Sequence, residues 1–319
     1  MPESPLRIVF MGTPEFAVPS LERLIADGYA IVGVYTQADR PAGRSGTPVS
    51  SPVKRAALRH GTPVFQPRSL RRPQEQGRLR EMTPDLIVLA AYGLLLPQEV
   101  LDIPPHGGLN VHPSLLPRHR GASPVVGALL AGDSETGVSI MLMDAGMDTG
   151  AVLAQRRLPI APEDTAGSLT AKLAQLGQEL LSDTIPRWTR REIAPRPQNE
   201  EQATYTRLLT KDDGRIDWSQ PAALIARQVR AYQPWPGSFT NWQGRQLKVL
   251  EAETQPSGEV IADVGTVVQP EGSAVAVQTG EGLLLLRKVQ QEGRKALLIQ
   301  EFLRGARGFV GSRLRENIS

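Results

Sequence analysis

The segment LRIVFMGTPEFAVPSLERLIADGYAIVGVYT, residues 6–36, decides the fold. Residues 6–11 form a short apolar run, which Gly12, Thr13 and Pro14 break. Phe16, Leu21, Leu24 and Ile25 then recur at helical spacing, so a helix is predicted over 15–27 with Gly28 as its stop. Residues 31–36, IVGVYT, are β-branched and apolar again. The alternation continues with a helix over 52–60, a brief strand at 64–65, an Arg- and Gln-rich helix over 73–82, and strands at 86–91 and 108–112. Strands at 137–142 and 151–160 follow, then a helix over 166–188 capped by Asp164 or Thr165. Strands apolar on both faces and separated by helices predict a Rossmann-like parallel α/β sheet with right-handed crossovers. The GTPEF turn lacks the second and third glycines of a dinucleotide fingerprint, and there is no P-loop, so nicotinamide and P-loop nucleotide chemistry are excluded.

Residues 190–203 are polar, proline-bearing and aperiodic, as expected of a domain linker. The pattern then changes to one amphipathic helix, 221–231, and five short strands at 237–242, 246–253, 265–269, 274–279 and 282–290. Strands of that spacing, separated by turns such as WQG and TGEG, predict a small OB-like β-barrel. The expected organisation is therefore a catalytic domain over 1–189, a linker over 190–203 and a barrel over 204–319.

Composition narrows the function classes. The 319 residues include no cysteine, which excludes disulfides, thiolate zinc sites and a Cys nucleophile. The longest apolar run, 86–97, is 12 residues, too short to span a bilayer, and no secretory signal opens the chain. A cytoplasmic protein is expected. Lys and Arg balance Asp and Glu over 1–189, yet residues 40–80 hold ten bases against one acid, Glu75. Such a segment is either a solvated face or a polyanion contact.

Chemistry concentrates in NVHPSLLPRHRGASP, residues 110–124, and in the turn DAGMDTG, 144–150. In an open parallel sheet, ligands bind beyond the carboxyl ends of the strands. Asn110 and His112 lie at such an end, two residues apart and so on one side of an extended segment. The Asn110 amide can donate to an oxyanion, neutral His112 can move a proton, and Asp148 can hold the imidazole or relay a proton through water. That set serves acyl or formyl transfer to an amine. No histidine spacing suggests zinc, so no metal is expected.

Eight segments carry a resemblance to the methionyl-tRNA formyltransferases, and they run nearly end to end: GTPEFAVPSLERL (12–24), YTQADRPAGR (35–44), SPVK (51–54), PVFQP (63–67), AAYGLLLP (90–97), NVHPSLLPRHRGASP (110–124), AGDSETGVSIMLMDAGMDTG (131–150) and RAYQPWPGS (230–238). The Asn-x-His-x-Ser-Leu-Leu-Pro core with its distant Asp marks families that use 10-formyltetrahydrofolate. The basic 35–54 loop and the PWPG-bearing second domain point to the tRNA member. The resemblance implies Asn110 as oxyanion donor, His112 as proton shuttle and Asp148 as its positioning partner. It implies folate binding by Ser114, Leu115, Leu116 and Pro117, and by the backbone of Tyr92, Gly93, Leu94 and Leu95. Initiator methionyl-tRNA is the implied macromolecular partner, with no membrane and no protein partner. Arg44 matches the arginine of the tRNA-contacting loop, although SGTPVS after it lacks the family's extra lysines. Arg40, Lys54 and Arg55 are further phosphate candidates. In the second domain they are Lys211 and Lys248, with Arg215, Arg245, Arg287 and Lys288. Trp235 within PWPG is expected to be a structural anchor. Two alternatives stay open: a formyltransferase acting on a ribonucleotide or sugar-nucleotide amine, and an inert tRNA-binding protein.

Overall fold

The computed structural model describes residues 5–42, 47–255, 260–269 and 274–314. The chain forms two compact units, one of Met1–Pro124, Glu135–Pro159 and Thr170–Thr206, the other of Val125–Ser134, Ile160–Leu169 and Arg207–Ser319.

The first unit carries strands β1 (Arg7–Gly12), β2 (Ala30–Tyr35), β3 (Arg40–Ala42), β4 (Thr47–Val49), β5 (Val64–Phe65), β6 (Leu86–Ala90), β7 (Gly108–His112), β8 (Arg120–Gly121), β9 (Glu135–Leu142), β10 (Val152–Pro159) and β11 (Tyr205–Thr206). Its helices are α1 (Val18–Ala26), α2 (Pro52–Arg59), α3 (Pro73–Glu81) and α4 (Gln98–Leu101); α5 (Pro124–Ala131) and α6 (Ala166–Thr189) each begin where the chain passes between the units. Seven strands make the main sheet in the order β10-β9-β7-β6-β1-β2-β5. Ile8–Met11 of β1 and all of β6 are buried, as strands covered on both faces must be. Pro19 in the first turn starts α1, and Asp27 and Gly28, the glycine at φ 85°, end it. Ser51 caps α2 by accepting from the Lys54 amide at 3.0 Å.

The parallel expectation holds for β1, β2, β5, β6 and β7 and fails at one edge. There β9 pairs antiparallel with β7, and β10 antiparallel with β9. Residues 143–151 between β9 and β10 are too few for a crossover and long enough for a hairpin-type return. After the buried Val152 and Leu153, strand β10 alternates half-buried and exposed residues, the pattern of an edge strand with one solvated face.

The second unit carries α7 (Ala222–Ala231), β12 (Ser238–Trp242), β13 (Arg245–Gln255), β14 (Val267–Val268), β15 (Ala276–Gln278), β16 (Leu283–Gln291), β17 (Leu297–Leu298) and α8 (Ile299–Gly305). The five expected strands all form, in the antiparallel order β12-β13-β16-β15-β14, with β17 added on β16. This is a small β domain around Trp218, Trp242, Leu247, Val249, Val289 and Phe309. The Trp242, Phe302 and Phe309 rings meet edge to face at 5.1–5.7 Å. Trp235 is not the expected anchor: its side chain is 55% exposed, while Trp218 and Trp242 fill the core. Pro236, Gly237 and Ser238 are the buried members of that turn, so the turn docks by its backbone and small residues rather than by the indole.

Candidate active site

Strand β7 is wholly buried and delivers Asn110 and His112 to the carboxyl end of the sheet. Asp148 comes from the β9–β10 turn at φ 55°, a left-handed conformation that Asp tolerates better than most residues. The turn is shaped from within, because Asp144 Oδ1 accepts from the Gly146 amide at 3.0 Å and the Thr149 hydroxyl at 2.8 Å. A side chain on Gly150 would collide with the Leu142 carbonyl, which explains the glycine of DTG.

The three side chains converge. Asn110 Nδ2 donates to Asp148 Oδ1 at 3.3 Å, and His112 Nδ1 lies 3.6 Å from the same oxygen. The Gly121 amide donates to Asp148 Oδ2 at 2.8 Å. His112 Nε2 lies 3.1 Å from the His119 carbonyl oxygen. A carbonyl only accepts, so Nε2 carries the proton and the lone pair of the neutral ring is on Nδ1, facing Asp148. Burial holds the His112 pKa below the ordinary imidazole value, against the upward pull of Asp148 and of the His119 carbonyl; the charge of His119 adds to the lowering. The ring is thus a neutral base with a carboxylate beside its basic nitrogen.

A cleft of about 110 Å³ opens at this cluster, lined by Leu89, Leu94–Leu96, Asn110, Met141, Met143 and the turn residues Asp144–Asp148. Its walls are mostly apolar, with Asn110, Asp144 and Asp148 as the polar side chains, the composition of a small-molecule site. Larger grooves exist, including one of about 630 Å³ by Asp85 and Asp102, but that one lies at the amino ends of the strands, away from Asn110.

The sequence-predicted folate residues divide. Leu94 and Leu95 line the cleft, Leu95 64% exposed. The Tyr92 ring is buried in the core, and its carbonyl accepts from Thr13 Oγ1 at 3.0 Å and Gln37 Nε2 at 3.1 Å; the Gly93 carbonyl accepts from Gln37 at 3.2 Å. Ser114 is buried with its hydroxyl donating to the Arg118 carbonyl, and Leu116 packs on Met141 and Val152. Leu115 and Pro117 are half-buried. Residues 114–117 therefore brace the wall behind the cleft: Gln155 and Ser139 tie this loop to β9 and β10.

Of the basic candidates, Arg44 lies outside the described residues, and of Arg40 only the backbone, in β3, is described. Lys54 donates to Asp39 at 2.7 Å and to Gln66 at 2.9 Å, so its charge is already matched. Arg55 is exposed and, among the described residues, its side chain bonds only to a carbonyl, that of Ser50, at 2.6 Å. In the second unit, Arg215, Arg287 and Lys288 pair with Asp212, Glu253 and Glu251. Lys211 is exposed, and Lys248 lines a small groove with Gln246 and Gln290. The sequence reading missed a groove of about 620 Å³ where Arg245, Arg294, Arg304 and Arg307 stand around Trp242 and Phe302. Among the described residues none of these four arginines joins an ion pair, although Glu301 shares the groove. Their positions, scattered from 245 to 307, left no local charge run to notice.

Two family models match this chain: formyl transferase over residues 6–185, and the formyl transferase C-terminal domain over 208–307. A methionyl-tRNA formyltransferase of Roseiflexus castenholzii is 50% identical over 97% of this chain and 99% of its own length. One from Roseiflexus sp. (strain RS-1) is 51% identical over 97% of this chain and 95% of its own. An N-formyltransferase from Helicobacter canadensis, solved with folinic acid and dTDP-3-aminofucose, superposes with a TM-score of 0.64 at 18% identity, covering 88% of this chain and 98% of that one. The last is a likeness of fold.

Proposed function

The chain belongs to the methionyl-tRNA formyltransferase family, and we propose that it transfers a formyl group from 10-formyltetrahydrofolate to the α-amine of methionine on initiator methionyl-tRNA. The product, formylmethionyl-tRNA, serves translation initiation, and that substrate assigns the reaction to the cytoplasm. The observation that carries this reading is the convergence of Asn110, His112 and Asp148 at the end of β7 beside an apolar cleft.

In the transfer the amine forms a bond to the formyl carbon and the donor's nitrogen–carbon bond breaks, releasing tetrahydrofolate. Charge develops on the formyl oxygen, and the Asn110 amide is the neutral donor suited to it. The amine must lose a proton and the leaving nitrogen must gain one. His112 Nδ1 is the basic atom for that relay, and the Asp148 carboxylate beside it stabilises the imidazolium formed on the way. Folate binding is assigned to the cleft, with the Tyr92–Leu95 backbone along it and Ser114, Leu115, Leu116 and Pro117 as its supporting loop.

Catalysis is assigned to 1–189, joined by 190–203 to a tRNA-binding domain over 204–319. Arg40, Arg44 and Arg55 are the phosphate contacts of the first domain, Lys54 being committed to Asp39. In the second domain Lys211, Lys248 and the groove arginines Arg245, Arg294, Arg304 and Arg307 supply them, since guanidinium groups with no ion pair among the described residues suit phosphates. The test is transfer of labelled formyl from 10-formyltetrahydrofolate to charged initiator tRNA, beside charged elongator methionyl-tRNA and a ribonucleotide amine. Labelling of the initiator alone is expected; labelling of the ribonucleotide amine in its place would overturn the acceptor.

A further inference from the structure

Arg120 has no exposed surface and is among the largest fully buried side chains of the molecule. A buried guanidinium is costly unless all its donors are matched, and here they are. Nε and Nη2 donate to Gln198 Oε1 at 3.0 and 2.9 Å; Nη2 and Nη1 donate to the two Glu200 oxygens at 2.7 and 2.9 Å; Nη1 also donates to the Tyr205 hydroxyl at 3.1 Å. The Gln198 amide, its oxygen taken by Arg120, turns both its hydrogens the other way. Nε2 donates to the Asp148 carbonyl at 2.8 Å and to the Gly150 carbonyl at 2.7 Å. Flipping this amide would aim its hydrogens at the guanidinium and its oxygen at two carbonyls, so Arg120 fixes the direction in which Gln198 donates.

The residues on either side of Arg120 reach the same site. His119 offers its carbonyl to His112, and Gly121 gives its amide to Asp148. The loop is strapped in turn by β11 and its neighbour: the Arg120 amide donates to the Thr204 carbonyl, the His119 amide to Thr204 Oγ1, and Thr206 Oγ1 to the Arg120 carbonyl. A side chain on Gly121 would collide with the Thr206 carbonyl, so the strap lies directly against the loop. Residues 198–206, expected as linker and the start of the barrel, thus hold both ends of the catalytic cluster.

We propose that Arg120 and Gln198 are positioning residues for formyl transfer: Arg120 orients Gln198, and Gln198 holds the left-handed Asp148 turn so that its carboxylate faces His112 Nδ1. The inference rests on the role given to Asp148 under the proposed function. Neither residue lines the cleft, so folate binding is not their work.

The test is a double-substitution cycle in the full-length enzyme, read as kcat and KM for formyl transfer. Gln198→Met removes both donated bonds and is expected to lower kcat about tenfold with the folate KM unchanged, since misplacing a catalytic group by a fraction of an ångström costs rate rather than binding. Against an Asp148→Asn background the same substitution is expected to cost less than about twofold, because its effect runs through Asp148. Gln198→Glu, which keeps an acceptor for Arg120 and replaces the two bonds to the turn by a carboxylate oxygen facing the Asp148 and Gly150 carbonyls, is expected to repeat the loss and covers the case in which the methionine variant does not fold. An equal loss from Gln198→Met in both backgrounds, or no loss from either variant, would overturn the inference while leaving the role of Asp148 intact. An Asp148→Asn enzyme with wild-type kcat would overturn the role of Asp148 itself.

Discussion

The cluster around Asp148 and the groove around Arg304 are both polar and are built on opposite principles. In the cluster every group is buried or nearly so, and each is held by a neighbour with one permitted direction of donation: His112 to the His119 carbonyl, Asn110 and Gly121 to Asp148. In the groove four exposed arginines stand without carboxylate partners among the described residues. The first arrangement suits a reaction in which one atom must sit in one place. The second suits a surface that meets many equivalent phosphates. Removing one member should therefore be severe in the cluster and mild in the groove.

The largest expected effect is that of His112→Ala, which removes the proton relay. A loss of roughly 100- to 10,000-fold in kcat is expected, with folate binding retained in equilibrium titration. Turnover within a few-fold of wild type would mean that the proton travels elsewhere. Asn110→Ala comes next, at about 100- to 1,000-fold, the usual cost of one oxyanion donor. A change confined to the folate KM would move Asn110 from the reaction to the binding of its donor. Single Arg→Ala changes at Arg294, Arg304 or Arg307 should leave kcat alone and weaken RNA binding only a few-fold, lowering the salt dependence of binding by roughly one unit of log–log slope each. If one such change abolished binding, the groove would resemble the cluster in being specific, and the contrast would fail.

The two regions also differed in how much the sequence disclosed. Strand geometry, which puts residues two apart on one side, made Asn110 and His112 candidates, and the polar DTG turn made Asp148 one; the family resemblance supplied the roles of all three. The α/β order was visible in the apolar runs 6–11, 31–36 and 86–91, each followed within two residues by Gly or Gln. The antiparallel edge was not, since 137–142 is apolar on both faces and looks like any buried parallel strand. Its only signal was the short 143–151 connection. The helix Pro124–Ala131 escaped because its run of Val, Ala and Leu has no polar face to set a period. Arg120 and Gln198 escaped for a different reason: 78 residues separate them, and a buried arginine matched by a distant glutamine is invisible until the chain is folded. Of the groove arginines only Arg245 was named from the sequence; Arg294, Arg304 and Arg307 share that difficulty, coming from a turn and from the end of a helix. Trp235 shows the opposite error, a tryptophan in a proline-rich turn whose ring stays in solvent.

The central claim is that a buried, neutral His112 with its basic nitrogen beside Asp148 takes the proton of the attacking amine. The pH dependence of single-turnover transfer at saturating folate tests it most directly. The substrate's own α-amine, a group that ordinarily titrates at about pH 8, sets a first acid limb, whereas burial lowers the His112 pKa, so His112 should add a second limb only below 6.5, the ordinary imidazole value. Asp148 pulls the His112 pKa upward, so Asp148→Asn should lower the rate and carry the second limb to still lower pH. A second limb at or above 6.5 in the wild type, or one that Asp148→Asn leaves in place, would contradict the account.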